Sequence, residues 1–598
     1  MLEKIRDSFR RFFKQGGAAK SPLHLAQRQI LSVRGSRAVP SLAQWRELPR
    51  YLSTGEKRLF LGASAAIIIA LGLLGYRLLT NNQIAVPAIG GSYTEGLIGA
   101  PQFINPLYAT SSDTDTDLTR LVFSGLMRID ATTSQLTPDL ATTFTVSPDQ
   151  KIYTFTLRDN LKWHDGDLIT ATDVAFTINA IQNPDYHSPL AVSFSGVSVE
   201  ATDDHTIVFT LNEPFAPFLS TLTVGILPEH IWQDIPPGSA PLAHINLTPV
   251  GSGPYKFNKL TTDQRGLLRG LSLVRNPSFY RGAPYISELN FKFYADPVTL
   301  LDALKNRNVE GAGFIPNDAG NALQNSSLQA VKTSLLQFTA LFLNDAHNAN
   351  LADANIRQAL NLITDRSSII SLANVGTAIT SPILPTMPGY DASVGAATFD
   401  LAAATDLLDK AGWKTVEGSP IRAKSGTPLA FSLITIDTPG LSAVATKIKE
   451  QWAAAGIDLT VTAVNQNNLQ NNVLKDRDYD ILLTGELYGA DQDPYAFWHS
   501  SQVAYPGLNL AQFSSRKADD AIEAARATTD VTIRATSFAT LAKTIADAVP
   551  AIFLYQPNFT YFTASHIQAI HLPTMTVPAD RFANINEWYI KTRKTFAK

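Results

Sequence analysis

Acidic and aromatic side chains follow a short apolar segment late in the chain. The segment Tyr479–Leu483 (YDILL) suits a buried strand, and directly after it come Glu486, Tyr488, Asp491 and Asp493. In α/β lobes, the loop that leaves the carboxyl end of a strand is the usual place for a ligand. A partly desolvated carboxylate in that loop could pair with the ammonium group of a ligand. The same pattern is equally compatible with a solvated turn in which Asp491 and Asp493 bind nothing.

The sequence motifs of common enzymes are missing from this chain. It contains no HExxH, no P-loop lysine motif, no GxSxG and no cysteine. His164 and Asp165 are neighbours that would point apart in a strand, and Asp165-Gly166 predicts a turn. The stretch 251–254 (GSGP) predicts a tight turn rather than a phosphate loop, and the ten histidines lack metal-ligand spacing. We therefore expect a protein that is not an enzyme and needs no cofactor or metal.

One segment near the N-terminus is long and apolar enough to cross a membrane. Leu59 to Tyr76 has no charged residue, and a spanning helix needs about 20 apolar residues. Residues 1–58 carry 13 basic and 4 acidic side chains, which predicts a cytoplasmic N-terminus and an extracellular C-terminal part. A cleaved signal peptide is the alternative, although its apolar core is only about 7–15 residues long. The basic tail either sets the topology while touching anionic lipid or binds a cytoplasmic partner.

The composition predicts several folded lobes. The chain has 598 residues, too many for one core, with 45% apolar and 17% charged residues. Its net charge of -3 gives no reason to expect a nucleic acid partner.

The periodicity of apolar residues predicts strands first and alternating helices and strands later. Strands are predicted at 151–158 and 206–211, where apolar and polar residues alternate. Helices are predicted at 351–364 and 441–455, and a strand at 457–464. This order indicates a lobe with a mixed sheet followed by an α/β lobe.

Several segments, taken in order, resemble the family 5 extracellular solute-binding proteins of ABC importers for oligopeptides, dipeptides and nickel. The resemblance covers roughly residues 90–565. The segments that carry it are DLA at 139–141, YTFTLRDNLKWHDGDLITATDVAFT at 153–177, GSGPYKF at 251–257, RNPSFYRGAP at 275–284, FLNDA at 342–346, IRQALNLITDRSSI at 356–369, LLDKAGW at 407–413, YDILLTGELYGADQDPYAFWHSSQ at 479–502 and GLNLAQFSS at 507–515.

This resemblance implies an α/β fold of the two-lobed periplasmic-binding-protein type, with mixed sheets and a hinge, in addition to one N-terminal transmembrane helix. Residues 550–555 would be the strand that returns to the first lobe. The implied divisions are a cytoplasmic basic tail at 1–58, a transmembrane helix at 59–80, a linker at 81–90, a first lobe at 91–294 and 548–598, and a second lobe at 295–547.

The resemblance also implies a ligand site. Peptide binders of this family place an aspartate after the YDILL-like strand to bind the amino terminus of the ligand, which implies that role for Asp491. Asp491 stands three residues before Pro494, whereas the family places this aspartate four before, and no arginine aligns with the one that receives the peptide carboxylate. Core packing is the alternative for Phe338 and Tyr555, and helix capping is the alternative for the asparagines. The candidate ligand-binding residues are Phe103, Tyr108, Phe338, Asn467, Asn468, Glu486, Tyr488, Asp491 and Tyr555.

The function implied by the resemblance is capture of short peptides outside the cell and their delivery to ABC transporter permease subunits. The anchoring departs from the family pattern, since a helix in the lipid bilayer (Leu59–Leu79) replaces a lipid-modified cysteine. The protein would be a single-pass protein of the cell membrane. The alternatives are a peptide-sensing receptor that signals through its cytoplasmic tail, a binding protein for a nickel chelate or a sugar, and an exported hydrolase.

Overall fold

The computed structural model of the chain describes residues 53–81, 83–313, 315, 323, 327–373 and 376–596. Nearly all of the predicted cytoplasmic tail (1–58) therefore lies outside the described residues. The chain divides into two compact units, one formed by Met1–Val86 with Arg593–Lys598 and the other by Pro87–Thr592.

The described helices are numbered here in chain order. They are α1 Thr54–Asn81, α2 Asp113–Val122, α3 Ala171–Gln182, α4 Phe218–Thr221, α5 Glu229–Trp232, α6 Pro297–Lys305, α7 Ala354–Ile363, α8 Arg366–Ala373, α9 Leu401–Lys410, α10 Pro439–Ala453, α11 Gln466–Asn468, α12 Tyr495–Trp498, α13 Arg516–Arg526 and α14 Val531–Ala548.

The strands are numbered in the same way. They are β1 Gln83–Ala88, β2 Ser92–Ile98, β3 Met127–Ile129, β4 Leu136–Pro138, β5 Ala141–Val146, β6 Ile152–Leu157, β7 Val197–Ala201, β8 Thr206–Leu211, β9 Tyr255–Thr262, β10 Leu268–Arg275, β11 Glu288–Tyr294, β12 Gly311–Ala312, β13 Leu328–Ser334, β14 Gln337–Leu343, β15 Gly376–Ala378, β16 Lys414–Val416, β17 Ser419–Lys424, β18 Thr427–Pro428, β19 Ala430–Ile436, β20 Asp458–Val464, β21 Ile481–Leu487, β22 Ala551–Ala564 and β23 Lys591–Phe596.

Helix α1 is apolar on all sides between Arg58 and Arg77. Within Thr54–Arg77, an 18-residue stretch has a mean hydropathy of 2.2, and Leu59 and Leu71 are exposed. An all-round apolar helix that packs against no core suits an apolar surrounding rather than water. Of the described helices, α1 is the one whose length and composition would allow it to span a bilayer, and a signal sequence has the same properties.

The predicted linker at 81–90 contains a strand. β1 occupies Gln83–Ala88 and forms a two-stranded sheet with β23. Ile84 and Val86 favour a strand locally. The partner strand lies about 500 residues further along the chain. Pairing over that distance leaves no local signal, so the strand could not be read from the sequence, and the linker at 81–90 stays a prediction.

A twelve-stranded sheet runs through the larger unit. Strand β22 is 14 residues long, and its first part pairs with β14 while its last part pairs with β13 and β12. The two ends of β22 thus belong to different regions of the sheet. The order along the sheet is β20-β19-β21-β14-β22-β12-β2-β11-β10-β9, with β13 and β15 also on β22.

The apolar side chains gather into separate cores, which define two lobes. One core contains residues between Tyr93 and Phe293 together with residues between Phe559 and Trp588, and the part of the chain that packs there is called the first lobe. Two further cores contain residues between Leu336 and Tyr555, and the part that packs there is called the second lobe. The lobe boundaries at 294/295 and 547/548 stay a prediction.

The predicted elements are present. The strands predicted at 151–158, 206–211 and 457–464 are β6, β8 and β20. The predicted helices are α7, which Asp353 caps by accepting from the Asn355 N–H, and α10, which begins at Pro439. The strand predicted at 550–555 is longer than expected, because β22 continues to Ala564.

Candidate ligand-binding cleft

A cavity of about 430 Å³ lies between the first lobe and one loop of the second lobe. The loop is Tyr488–Asp491, which directly follows β21, and Leu487 at the end of β21 lines the cavity with it. β21 is an inner strand, parallel to β19 and antiparallel to β14, so the loop leaves the middle of the sheet. The volume falls in the lower part of the range of about 300–1,000 Å³ that is usual for small-ligand pockets.

The loop is held in place by hydrogen bonds. The Tyr488 N–H donates to the Leu336 carbonyl at 2.7 Å, and the Tyr488 hydroxyl donates to the Pro382 carbonyl at 2.9 Å. A turn follows, in which the Gln492 N–H donates to the Gly489 carbonyl at 2.9 Å. Bonds of this kind hold the backbone of the loop in place before a ligand arrives.

Asp491 and Asp493 have different partners. The Asp493 carboxylate forms an ion pair with Arg526 at 2.9 Å. Within the described residues the Asp491 carboxylate has no ion pair, although Arg534 donates to its backbone carbonyl at 3.1 Å. Burial, with a smaller contribution from the charge of Asp493, raises the pKa of Asp491 to about 7. A cationic ligand group would reverse this shift, because opposite charge favours the ionised carboxylate.

Arginines from the first lobe line the same cavity. They are Arg120 on α2, Arg128 on β3 and Arg281 after β10, and the acids Asp139 and Asp580 accompany them. Arg120 and Asp580 form a direct ion pair at 3.1 Å. The other two arginines lie near Asp139.

Arg128 and Arg281 both face Asp139 without bonding to it directly. The nitrogen–oxygen distances are 3.8 Å from Arg128 and 3.7 Å from Arg281, too long for hydrogen bonds. Burial raises the pKa of Asp139, and these arginines oppose that shift. Arg128 also forms an ion pair with Asp130 at 3.0 Å, whereas the pair of Arg281 with Asp139 is long, at 3.7 Å. Arg281 is therefore the stronger candidate for binding a ligand carboxylate, whose planar geometry suits a guanidinium group.

Two of the nine predicted site residues line the cavity. Tyr488 and Asp491 are among the residues that form its wall. Phe338 is fully buried in an aromatic cluster, with ring centres 5.5 Å from those of Tyr488 and Phe553. Tyr555 is 4% exposed in the core of the second lobe. For Phe338 and Tyr555 the structure therefore shows the core packing that was the alternative interpretation.

The other predicted residues lie elsewhere. Phe103 and Tyr108 pack together at 5.3 Å, although their neighbours Pro106 and Ala109 do line the cavity. Glu486 is 5% exposed within β21, and burial raises its pKa well above the usual value.

The two asparagines belong to helix α11. Asn467 is exposed there, and the Asn468 side chain accepts a hydrogen bond from Asn472 at 2.7 Å. The cap itself is Asn465, whose side chain accepts from the Asn468 N–H at 2.9 Å. Both asparagines thus have helical surroundings, and neither lines the cavity.

The sequence did not single out the cavity arginines. Arg120, Arg128 and Arg281 lie on a helix, a strand and a loop that are up to about 160 residues apart in the chain. No local spacing connects such residues, and only the folded first lobe brings them to one wall. A weak signal was available in Asp139, which begins the DLA segment.

His164 and Asp165 have structural partners. The half-buried His164 ring accepts from the Gly251 N–H at 3.2 Å and contacts the Gly253 carbonyl at 3.0 Å, and desolvation lowers its pKa to about 4. It therefore holds the predicted 251–254 turn. Asp165 and Asp167 lie 3.0 and 3.6 Å from His230, an exposed grouping that sequence spacing did not reveal.

Polar contacts join the lobes beside the ligand loop. Gln150 of the first lobe accepts from the Thr529 N–H at 3.2 Å and from its hydroxyl at 2.9 Å. The Ala216 N–H donates to the Arg526 carbonyl at 2.8 Å, and the Arg526 guanidinium lies 5.0 Å from the Phe215 ring. We call these five residues the clasp. Because Arg526 also pairs with Asp493, the clasp adjoins the loop that carries Asp491.

Substituting Gln150→Ala is expected to weaken ligand binding about fivefold. The change removes clasp hydrogen bonds worth about 1 kcal/mol and so favours separated lobes, without touching the cavity. The measurement is the dissociation rate constant of a bound ligand, which should rise by the same factor. The exposed Gln135→Ala serves as the matched control. An unchanged dissociation rate in Gln150→Ala would show that the clasp does not contribute to ligand retention.

Curated proteins of similar sequence are binding proteins. The profile of "Bacterial extracellular solute-binding proteins, family 5 Middle" matches residues 135–507. The oligopeptide-binding protein AppA of Bacillus subtilis is 26% identical over 514 residues, covering 84% of this chain and 92% of AppA. The probable D,D-dipeptide-binding periplasmic protein DdpA of Escherichia coli is 28% identical over 511 residues, covering 81% of this chain and 93% of DdpA.

Two solved structures show the same fold as this chain. AppA from Bacillus subtilis in complex with a nonapeptide has a TM-score of 0.64 and 25% identity, covering 85% of this chain and all of its own. NikZ from Campylobacter jejuni in complex with Ni(L-His) has a TM-score of 0.66 and 27% identity, covering 83% of this chain and 99% of its own. These relatives are two-lobed solute-binding proteins and not enzymes, which confirms the predicted fold class. The chain thus belongs to family 5 of the bacterial extracellular solute-binding proteins.

Proposed function

We propose that this chain is a membrane-anchored extracellular protein that captures short peptides for an ABC-type importer. The observation that carries the proposal is the pairing of opposite charges within one cavity. Asp491 offers a carboxylate without an ion pair among the described residues, and Arg281 offers a guanidinium group whose contact with Asp139 is long, at 3.7 Å. A free-ended peptide carries the complementary ammonium and carboxylate groups.

The chemistry of the cavity favours a peptide over a metal chelate. AppA is named for oligopeptides and was solved with a nonapeptide, whereas NikZ was solved with Ni(L-His). Imidazole and thiolate are common ligands of nickel and related metals. None of the described residues that line the cavity is a histidine, and the chain has no cysteine. The cavity volume of about 430 Å³ favours short peptides.

The proposed anchor is helix α1, with the basic tail in the cytoplasm and the lobes outside. This orientation follows from the 13 basic residues that precede the apolar stretch. One helix tethers the binding protein beside the permease subunits that would receive the peptide. Tethering raises the effective concentration of the loaded protein at the permease.

Peptide binding by Arg281 can be tested with a peptide whose carboxyl end is amidated. Arg281→Gln is expected to weaken binding of a free-ended tripeptide by roughly 10- to 150-fold, because a charge-assisted hydrogen bond is worth about 1.5–3 kcal/mol. Amidation of the peptide should weaken its binding to the wild type by a similar factor. The substitution and the amidation together should weaken binding little more than either change alone. Calorimetric titration of the wild type and Arg281→Gln, each with the free-ended and the amidated peptide, measures all four affinities.

The matched control is Arg269→Gln. Arg269 is 58% exposed and pairs with Asp263 away from the cavity, so binding should stay unchanged. If amidation leaves the affinity of the wild type unaltered, the guanidinium groups do not bind the peptide carboxylate.

A further inference from the structure

Strands β1 and β23 form a two-stranded ribbon that begins beside the end of helix α1. The helix ends at Asn81, and β1 starts at Gln83. Since consecutive Cα atoms are about 3.8 Å apart, the start of β1 lies within about 8 Å of the end of α1. β23 is paired with β1 and is therefore held close to the same point.

The ribbon is basic and exposed. β23 reads KTRKTF, carries Lys591, Arg593 and Lys594 without any acid, and all six of its residues are exposed. β1 reads QIAVPA and carries no charge. Ile84 and Phe596 add apolar side chains that are 50% and 54% exposed. The ribbon thus combines three cations with apolar groups in contact with solvent, a combination typical of surfaces that lie on anionic membranes.

We propose that this ribbon lies on the membrane surface and binds anionic phospholipid headgroups. The proposal rests on the proposed anchoring through α1, which would place the ribbon at the headgroup level. Cations interact strongly with anionic lipid when they lie within about 10 Å of the surface, the Debye length at 0.1 M salt. The apolar tips of Ile84 and Phe596 would enter the interface between headgroups and acyl chains.

A second membrane contact would change how the binding domain is tethered. With the helix as its single attachment, the binding domain could rotate relative to the membrane about the residues that follow α1. Headgroup contact by β23 would restrain that motion and keep the domain next to the bilayer. The chain would then have one apolar and one electrostatic attachment, which suits stable anchoring better than either alone.

The test uses the full chain reconstituted into vesicles. Because the chain has no cysteine, Thr595→Cys provides a single site on β23 for an environment-sensitive fluorophore. Vesicles of phosphatidylcholine, with or without phosphatidylglycerol, carry a spin label on the headgroup that quenches the fluorophore on contact. We expect strong quenching with phosphatidylglycerol, weak quenching without it, and loss of the difference in 1 M salt, where the Debye length is about 3 Å.

The variant Lys591→Gln, Arg593→Gln, Lys594→Gln tests the charges. In this variant, the ratio of membrane-bound to unbound ribbon should fall by about fivefold for each cation removed. The matched control removes three exposed lysines elsewhere, at Lys305, Lys449 and Lys517, and should quench like the unaltered protein. The proposal would be overturned if the unaltered protein were quenched equally in both kinds of vesicle. It would also be overturned if the charge variant were quenched as strongly as the unaltered protein.

Flotation of the vesicles separates the ribbon from the anchor. If α1 anchors the chain, the protein floats with neutral vesicles in 1 M salt whether or not the ribbon binds. A chain that floats but shows no lipid-dependent quenching contradicts the ribbon proposal alone. A chain that fails to float with any vesicle contradicts the anchoring and the ribbon proposal together.

Discussion

Replacing Asp491 with asparagine is expected to weaken peptide binding by roughly 30- to 1,000-fold. The substitution keeps the size of the side chain and removes its charge, leaving the peptide ammonium group without its counter-charge in a closed cavity. Truncating one partner of such a pair costs about 2–4 kcal/mol, which corresponds to that range in Kd. Calorimetric titration with a tripeptide measures the loss.

Two controls isolate the charge of Asp491. The exposed Asp476→Asn should bind peptide like the wild type. A tripeptide with an acetylated amino end should bind weakly to the wild type and suffer little further loss in Asp491→Asn, because both changes remove the same pair. If Asp491→Asn binds free-ended peptide as tightly as the wild type does, another group receives the ammonium.

The same carboxylate predicts a pH dependence. Burial raises the pKa of Asp491 to about 7 in the ligand-free protein, and an ammonium ligand requires the ionised form. As the pH falls through that value, protonation competes with ligand binding. Ionisation of Asp491 gains about tenfold in affinity between pH 6 and pH 8, and deprotonation of the peptide amino group, whose pKa is about 7.7–8.0, offsets about 2.5-fold of that gain. Affinity should therefore be about fourfold weaker at pH 6 than at pH 8, and Asp491→Asn should show no such rise with pH. A wild type with equal affinity at both pH values contradicts the role of Asp491.

Replacing Arg581 with methionine is expected to destabilise the first lobe by about 3–5 kcal/mol. Arg581 is fully buried and forms ion pairs with Glu95 at 2.8 Å and with Asp117 at 2.6 Å. Tyr93 and Tyr561 also donate to Glu95, at 2.7 and 2.5 Å. The substitution leaves two carboxylates in the core without a counter-charge, which is costly. The thermal midpoint of unfolding should fall by roughly 6–20 °C.

The pH dependence of this loss identifies its cause. Burial raises the pKa of Asp117 to about 6 even with Arg581 present, and removal of the guanidinium would raise it further. A carboxyl whose folded pKa exceeds its unfolded pKa costs stability as the pH rises, so the deficit of Arg581→Met should be larger at pH 8 than at pH 5. A deficit independent of pH would instead indicate lost packing. Arg516→Met, at a side chain that is 93% exposed, should leave the midpoint unchanged.

Local periodicity was sufficient to predict the elements that position the site. Alternation in residues 151–158 and the three- and four-residue spacing in 441–455 depend on neighbours only, and both patterns correspond to real elements. The loop after the YDILL strand was predictable for the same reason, because the end of a strand can be read from a short window. Asp491 and Tyr488 do line the cavity.

Predictions that depended on distant partners were less successful. Most of β21 is buried on both faces, so its pattern of residue types does not show which side chains face the cavity. The sequence therefore could not show that Asp491 lines the cavity and Glu486 does not. Phe338 was predicted to line the ligand site, but the rings of Trp498 and Phe553 pack against it in the core. These neighbours are distant in sequence and gave no local signal. Pairing of β1 with β23 likewise had no local signal, because it joins segments about 500 residues apart.

The central claim is that the cavity binds a free-ended short peptide through both of its charged ends. Calorimetric titration of the full chain with a pool of di- to hexapeptides tests it most directly, beside the same pool acetylated at the amino end and amidated at the carboxyl end. We predict saturable binding of the free-ended pool, and binding of the doubly blocked pool at least about 100-fold weaker, since two charge-assisted contacts are lost. Equal affinity for the two pools, or no binding of free-ended peptides by the folded protein, would contradict the account.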